Sequence, residues 1–306
     1  MQNSKSSIFL FLKGMAMGAA DVVPGVSGGT IAFISGIYEE LVSSIDGVNL
    51  GLLKVLKQEG FTSFWKKANG KFLLTLLSGI AVSVFSLANA ISFLLKEQPI
   101  LVWSFFFGLV LSSVFVIFKS ISKVSLVGIG IGLLMTLVAY YITLLEPMTD
   151  GEASSMLFFF SGALAICAMI LPGISGSFIL VIIGSYEVVL EAVESFDIKS
   201  ILLFISGAVI GILSFAKVLK WLFTNFKDIT LLALCGFILG SLNKVWPWKD
   251  VLEWRMDRHG EQVALIEKSV LPVNFEGEPK IALALIAASV GFILIFALER
   301  FANSKS

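Results

Sequence analysis

Charged side chains are scarce in this sequence. Only 14% of its 306 residues are Asp, Glu, Lys or Arg, whereas 57% are hydrophobic, and the mean hydropathy is +0.94. Because a soluble globular domain carries about 25% charged residues, this composition excludes a soluble protein and indicates a polytopic membrane protein. The 22 basic and 22 acidic side chains cancel. The basic residues lie in short loops rather than in a patch, so we expect no binding to nucleic acid.

Cysteine and histidine are also rare. The two cysteines, Cys167 and Cys235, lie inside apolar segments, which excludes a disulfide framework and a cysteine metal site. Residues 25–29 fit the Gly-x-Ser-x-Gly form of a serine nucleophile, but such a serine needs a base. The single histidine, His259, lies in a predicted outer loop, far from that serine. We therefore expect no enzyme, no metal site and no cofactor.

What the chain has in abundance is long apolar segments. A membrane-spanning helix needs about 20 predominantly apolar residues. The segments that meet this requirement are residues 72–95, 101–118, 125–145, 201–222, 229–246 and 281–298. The sequence therefore predicts six transmembrane helices.

Two further apolar regions, residues 8–45 and 156–193, are interrupted in their middle. Residues 24–30 read Pro-Gly-Val-Ser-Gly-Gly-Thr, and residues 172–177 read Pro-Gly-Ile-Ser-Gly-Ser. The arm before each interruption has roughly 13–16 residues and reaches only about 20–24 Å as a helix, short of the hydrocarbon thickness of about 30 Å. We interpret each region as a re-entrant helical hairpin.

The two halves of the chain repeat one pattern. A shift of 148 residues aligns Ser27 with Ser175 and Gly36 with Gly184, and a shift of 128 aligns Gly79 with Gly207. Residues 1–150 and 151–306 are therefore two copies of one unit within a single membrane domain. A hairpin plus three spans is an odd number of crossings, so the second copy must be inverted. The predicted fold is an all-α polytopic membrane protein with two inverted-topology repeats, each a hairpin plus three transmembrane helices.

The distribution of Lys and Arg predicts the orientation of the chain. Lysines are concentrated in the predicted loop 46–71, whereas the predicted loop 146–155 contains neither Lys nor Arg. By the positive-inside rule, both termini and loop 46–71 are cytoplasmic, and loop 146–155 is external. From these assignments, the number of predicted membrane crossings places the polar loop 247–280 outside, although this loop carries basic residues.

The two hairpin tips are the candidate binding site for an anion. Each tip begins a helix, whose free N–H groups and positive dipole end attract negative charge. The residues predicted to bind phosphate are Ser27, Gly28, Gly29, Thr30, Ser175, Gly176 and Ser177. The alternative is that these small residues only permit close helix packing and that the hydroxyls cap helices. The occurrence of two matched copies favours the ligand site.

Four charged residues accompany the hairpins. Asp21 aligns with Met169, so the pair of hairpins has a single carboxylate near mid-depth, which either carries a coupling ion or caps the tip. Lys13 either pairs with Asp21 or extends toward the cytoplasmic headgroups, where it attracts an anion. Glu39 and Glu187 are expected about 14–15 Å along the second arm from the tip, as solvated acids or gate residues.

The longest motif resembles a known family signature. Residues 13–30, Lys-Gly-Met-Ala-Met-Gly-Ala-Ala-Asp-Val-Val-Pro-Gly-Val-Ser-Gly-Gly-Thr, and residues 171–177, Leu-Pro-Gly-Ile-Ser-Gly-Ser, are similar to those of the PopT family, and the resemblance covers essentially the whole chain. It implies a bacterial inner-membrane translocase that returns undecaprenyl phosphate from the outer to the inner leaflet, for reuse in cell-wall and surface-polysaccharide synthesis. It also implies that the hairpins hold the phosphate through Asp21 and the seven tip residues named above.

Two other functions stay open from the residues alone. One is a secondary transporter of a small soluble anion, and the other is a membrane enzyme that acts on a lipid phosphate. The expected partners are the polyprenyl phosphate and the surrounding membrane lipids. The sequence leaves open the coupling ion, the lipid chain length, the role of loop 247–280 and whether the protein is a homo-oligomer.

Overall fold

The computed structural model describes residues 2–23, 25–148, 154–256 and 262–303. The helices of the first half are α1 (Gln2–Asp21), α2 (Gly28–Ile34), α3 (Tyr38–Gly47), α4 (Leu50–Lys67), α5 (Gly70–Glu97), α6 (Pro99–Lys119) and α7 (Leu126–Thr143). Those of the second half are α8 (Ser155–Ile170), α9 (Gly176–Ile182), α10 (Tyr186–Glu194), α11 (Ile198–Asn225), α12 (Lys227–Ser241) and α13 (Ile281–Asn303). Two strands, β1 (Lys249–Met256) and β2 (Gln262–Ser269), form an antiparallel pair between α12 and α13.

The helices confirm the predicted class of polytopic α-helical membrane protein. Among the described residues, five helical segments could each cross a membrane by length and composition: 70–97, 99–119, 126–143, 198–225 and 227–245. The last of these joins α12 to a short 3-10 helix, Leu242–Val245. The helix pair α9 and α10, bent by 109°, counts as a sixth if it is one broken span. The sixth predicted span, residues 281–298, is helical in α13, and its apolar part, Ile281–Ala297, is slightly shorter than the others.

The two halves have matching elements. The bounds of α2 shifted by 148 residues give those of α9, and the bounds of α5 shifted by 128 give those of α11. The packing partners match as well, because α1 packs on α5 as α8 packs on α11. In addition, α6 packs on α13 and α12 packs on α7, so each half contributes a helix to the other. These matches agree with a repeat of 1–150 and 151–306; the inverted orientation of the second copy stays a prediction.

Glycines allow the matched helices to approach each other at their backbones. A side chain on Gly79 of α5 would collide with the carbonyl oxygen of Phe11, and one on Gly207 of α11 would collide with that of Phe159. These contacts are equivalent under the two shifts. Without a hydrophobic driving force between helices in lipid, such close packing supplies much of the association energy. The glycines therefore fix how each hairpin sits against its neighbouring span.

We expect Gly79→Val and Gly207→Val each to lower the free energy of unfolding by about 1–3 kcal/mol, the usual cost of overpacking. The matched control is Gly130→Val in α7, where no heavy atom lies within 4 Å of an added methyl group. Thermal unfolding of the three variants in detergent checks this. Equal destabilisation by all three would contradict the packing role.

Three predicted features are wrong in detail. The predicted loop 46–71 contains a helix, α4, whose backbone breaks at Gly60 (φ +82°). The predicted outer loop 247–280 contains the β1–β2 pair, so the chain is not purely α-helical. The arm predicted at residues 8–20 extends back to Gln2, where α1 includes polar residues that the apolar pattern could not indicate.

The second arm of each hairpin was predicted as one helix, and this is also wrong. It ends at Ile34 in α2 and at Ile182 in α9, and a new helix starts four residues later. Gly36 (φ +72°) and Gly184 (φ +66°) take the left-handed conformation at these breaks. Both breaks are Schellman motifs: the Ile37 N–H donates to the Ala32 carbonyl, as the Ser185 N–H donates to the Leu180 carbonyl.

Candidate functional site

The two hairpin tips lie against each other. The Gly25 N–H of the first tip donates to Ser175 Oγ of the second at 3.1 Å. Ser27 Oγ lies 3.0 Å from the carbonyl oxygens of both Met169 and Leu171, so its proton is shared between them. Ser27 and Ser175 are 0% and 4% exposed. The structure therefore brings the two predicted serines into one buried junction. Pro24, which precedes the first tip, lies outside the described residues.

In the first tip the three N–H groups at the start of α2 are already paired, contrary to the prediction that they are free. The Gly28 N–H donates to Asp21 Oδ1 at 2.7 Å, and the Gly29 N–H donates to Ser27 Oγ at 3.1 Å. The Thr30 N–H donates to the Ser27 carbonyl at 2.9 Å. The carboxylate of Asp21, at the end of α1, thus lies against the start of α2. In this conformation Asp21 caps the tip, which was one of its two predicted roles.

The second tip keeps more of its donors. Ser175 Oγ accepts from the Phe178 N–H at 3.2 Å and lies 3.2 Å from Ser177 Oγ. Within the described ranges, the N–H groups of Gly176 and Ser177 have no hydrogen-bond partner. In the first tip, the buried hydroxyl of Thr30 also has no partner among the described residues. An unpaired buried hydroxyl such as that of Thr30 is uncommon in folded proteins. It and the two amides are the groups of the tips that are available to a ligand.

The tip glycines are required by packing. A methyl group on Gly29 would lie 2.5 Å from the Ile170 carbonyl oxygen, and one on Gly176 would lie 2.7 Å from that of Ala165. A methyl group on Gly28 would lie 2.6 Å from Asp21 Oδ2. These three glycines thus serve the close packing that was the alternative to a ligand role. A ligand that enters the junction must separate these surfaces.

A lysine that the sequence analysis did not single out joins the two tips. The stem of Lys244 packs on the first tip, since a methyl group on Gly25 would lie 2.6 Å from Lys244 Cγ. Its Nζ lies 4.6 Å from the centroid of the Phe178 ring in the second tip. Lys244 falls inside the apolar segment 229–246, and a charged residue within a predicted span is the signal that could have revealed it.

A second lysine and a glutamate on the strand pair complete a charged cluster beside the tips. Lys249 Nζ lies 3.2 Å from Glu267 Oε2, donates to the Lys244 carbonyl at 2.8 Å, and lies 4.5 Å from the Trp103 ring centroid. Lys244 Nζ lies 3.7 Å from the same Glu267 oxygen. Two ammonium groups thus share one carboxylate, and the cluster has a net positive charge next to the junction.

Burial lowers the pKa of Lys249 from 10.5 to about 8, although Glu267 opposes this shift. Between these two values the unfolded chain binds a proton that the folded protein has lost, so folding becomes more favourable as pH rises through this window. We expect wild type to gain up to about 3 kcal/mol relative to Lys249→Met across it. Thermal unfolding of both proteins from neutral to alkaline pH measures the difference, and parallel pH profiles would contradict the burial effect.

The other three charged residues that were predicted to act with the hairpins lie away from the junction. Lys13 Nζ donates to the Ser35 carbonyl at 2.6 Å, so it binds the break between α2 and α3 rather than Asp21. Glu39 pairs with Lys227 at 2.6 Å, and both side chains are about half exposed. Glu187 lies in the first turn of α10. Because α2 and α9 end before these acids, the predicted distance along an unbroken arm is wrong.

Ser27 is not arranged as a nucleophile. Its hydroxyl contacts two carbonyl oxygens and one amide, and among the described residues no basic side chain hydrogen-bonds to it. His259 lies outside the described residues. The described residues also contain no cluster of His, Cys, Asp and Glu that could hold a metal ion. The geometry of this site therefore offers binding groups for an anion and no hydrolytic apparatus around Ser27.

Comparison with known proteins gives one consistent result. Residues 17–263 match the VCA0040-like family, described as undecaprenyl phosphate translocase-like. The protein named polyprenyl-phosphate transporter in Vibrio cholerae serotype O1 is 48% identical over 299 residues, which are 96% of each chain. The protein of the same name in Staphylococcus aureus is 34% identical over 260 residues, which are 77% of this chain and 85% of its own. No solved structure matches.

Proposed function

The chain belongs to the undecaprenyl phosphate translocase-like family, and we propose that it carries undecaprenyl phosphate from the outer to the inner leaflet of the bacterial inner membrane. This movement recycles the lipid carrier for cell-wall and surface-polysaccharide synthesis. The protein acts as a transporter and not as an enzyme. The observation that carries the proposal, beside family membership, is the contact between two interrupted helices, Gly25 N–H to Ser175 Oγ.

The phosphate is held at the junction of the two tips. On the second tip the phosphate accepts hydrogen bonds from the free N–H groups of Gly176 and Ser177 and from the hydroxyls of Ser175 and Ser177. On the first tip the opposite wall is formed by Ser27, Gly28, Gly29 and Thr30, whose buried hydroxyl is unpartnered among the described residues. A phosphate accepts several hydrogen bonds at once, so it can replace the contacts that now join the tips.

Family membership supports a lipid substrate, and the cost of moving a charged headgroup through hydrocarbon explains why such a substrate needs this site. A polyprenyl tail can stay in the bilayer, whereas the phosphate needs a polar site as it crosses. Helices that are interrupted within the membrane provide such a site in transporters with paired repeats. The inverted arrangement of residues 1–150 and 151–306 would let the same junction open alternately to each leaflet.

The charge pattern supports cytoplasmic termini. Lys220 pairs with Asp46 at 2.6 Å, and Lys227 pairs with Glu39 at 2.6 Å. These contacts bring the end of α11 and the start of α12 to the same side as α3 and the lysine-bearing helix α4. Clustered lysines mark the cytoplasmic side of a membrane protein. In this orientation, Glu39 lies at the cytoplasmic end and Glu187 at the external end, each next to a break that could act as a gate.

Leaflet exchange of undecaprenyl phosphate in proteoliposomes tests the proposal. A phosphatase added outside removes phosphate only from lipid in the outer leaflet, so a transporter makes the inner pool accessible as well. We expect the whole pool to become accessible with wild-type protein and only the outer pool in protein-free vesicles. No exchange by correctly folded protein would contradict the proposal. Uptake of inorganic phosphate instead would indicate a soluble anion transporter, and phosphate release before phosphatase is added would indicate an enzyme.

A further inference from the structure

Lys244 is the cation that lies closest to both hairpin tips in the contacts described above. Its stem packs over Gly25, which takes a left-handed conformation (φ +84°) and has no side chain to displace it. Its ammonium group lies over the ring of Phe178, in the first turn of α9. The quadrupole of an aromatic ring attracts a cation without neutralising its charge. Lys244 therefore brings a full positive charge to the place where the two tips meet.

The charge of Lys244 is only loosely balanced. Glu267 is 3.2 Å from Lys249 but 3.7 Å from Lys244, which is too long for a hydrogen bond. The Lys249 side chain is 8% exposed and is also held by the Lys244 carbonyl and Trp103, whereas the Lys244 side chain is 24% exposed. Lys249 is thus the fixed partner of Glu267, and Lys244 is the one that can exchange it for another anion.

Only the second half of the chain carries this lysine. The shift of 128 residues aligns Lys244 with Val116, so the first half has no equivalent lysine. Lys244 lies at the end of the predicted span 229–246, and Lys249 of β1 contacts its carbonyl oxygen; the charge distribution places the following loop 247–280 outside. A cation on that side alone would make capture of a phosphate from the outer leaflet more favourable than capture from the inner leaflet.

From this geometry, and resting on the proposed function, we propose that Lys244 binds the phosphate monoester of the substrate and that Glu267 is the counter-ion which the phosphate displaces. The shared chemistry is that of a monoester or inorganic phosphate, because a Lys ammonium acts as a point charge toward either. The Lys244 ammonium is paired with an anion before and after the exchange, while Glu267 stays paired with Lys249. It also assigns a role to the β1–β2 pair, which is to hold the competing carboxylate.

Opposite effects of two substitutions distinguish this role from a structural ion pair. Lys244→Gln removes the binding charge, so we expect about 10- to 100-fold weaker binding of undecaprenyl phosphate, the range for a charge-assisted hydrogen bond. Glu267→Gln removes the competitor, so we expect about two- to fivefold tighter binding. Lys244→Arg keeps the charge and should retain most of the affinity. A structural ion pair would instead make both glutamine variants weaker binders.

The experiment measures binding of undecaprenyl phosphate, inorganic phosphate and undecaprenol to detergent-purified full-length protein, below the Lys249 pKa of about 8. The matched control is Lys220→Gln, which breaks an ion pair with Asp46 away from the tips and should bind like wild type. Thermal unfolding of each variant identifies any that fails to fold; if Lys244→Gln is one of them, the direction of the change in Glu267→Gln decides the test. Selective binding of the phosphorylated lipid assigns the site to the headgroup, whereas equal competition by inorganic phosphate assigns it to phosphate in general.

Wild-type affinity in Lys244→Gln, with binding and leaflet exchange intact in the wild type, would overturn the role of Lys244 and leave the proposed function standing. Weaker binding by Glu267→Gln, equal to that of Lys244→Gln, would also overturn it. Wild-type protein that exchanges no undecaprenyl phosphate between leaflets would refute the proposed function itself. The two failures are therefore distinguishable in one set of measurements.

Discussion

Replacing Ser27 or Ser175 with leucine is expected to reduce leaflet exchange of undecaprenyl phosphate by about 100-fold or more, because displacement of a binding group by about 1 Å is enough for such losses. Both hydroxyls lie in the buried junction, 0% and 4% exposed, where a larger side chain fills the space that the phosphate needs. The fold should survive, since overpacking costs about 1–3 kcal/mol. The proteoliposome assay measures the rate, and thermal unfolding confirms that each variant is folded.

The control for this prediction is Ser206→Leu. Ser206 lies on the exposed face of α11 and donates its hydroxyl to the Leu203 carbonyl within the same helix. The chemical change is therefore the same, but the site is remote from the tips, and wild-type exchange is expected. Exchange at the wild-type rate by both Ser27→Leu and Ser175→Leu would remove the junction as the site of transport.

The repeat in the sequence predicted the fold well because it constrains many residues at once. The two shifts, read from matching residues in the two halves of the sequence, align the bounds of α2 with α9 and of α5 with α11. They also align contacts, since the pair of Gly79 and Phe11 corresponds to that of Gly207 and Phe159. Helix length and polarity limit what an apolar segment can do in a bilayer, so the spans could be found within a few residues.

The breaks in the second arms could not be predicted in the same way. Gly36 and Gly184 served as markers of the repeat, but a glycine inside an apolar segment is compatible with a continuous membrane helix. Whether it takes the left-handed conformation depends on the carbonyl groups that its own amide and the following amide bind. At the first break these are the carbonyls of Phe33, for Gly36, and of Ala32, for Ile37. The two glycines are visible in the sequence, but the tertiary structure determines whether they end a helix.

The residues that contact the first tip could not be predicted from the sequence for a related reason. Asp21 is six residues from Ser27 in the sequence, and only the way in which α1 and α2 pack brings its carboxylate to the Gly28 N–H. Lys244 is more than 200 residues from Gly25, so no local pattern links them. Apolar periodicity predicts which segments enter the membrane, whereas the contacts between two separate tips depend on how α12 and the strands pack beside them.

Asp21→Asn is expected to remove the response of transport to ion gradients while leaving the tip capped. Asparagine keeps the oxygen that accepts the Gly28 N–H at 2.7 Å but loses the charge, so a role limited to capping predicts no effect of this substitution. If Asp21 carries the coupling ion, leaflet exchange driven by a proton or sodium gradient falls by about tenfold or more, since a charged interaction contributes about 1.5–3 kcal/mol. Asp21→Ala removes the cap as well and should cost about 1 kcal/mol of stability beyond Asp21→Asn. An unchanged gradient response in Asp21→Asn would reduce Asp21 to a capping residue, because the alignment with Met169 leaves the second tip with no carboxylate that could replace it.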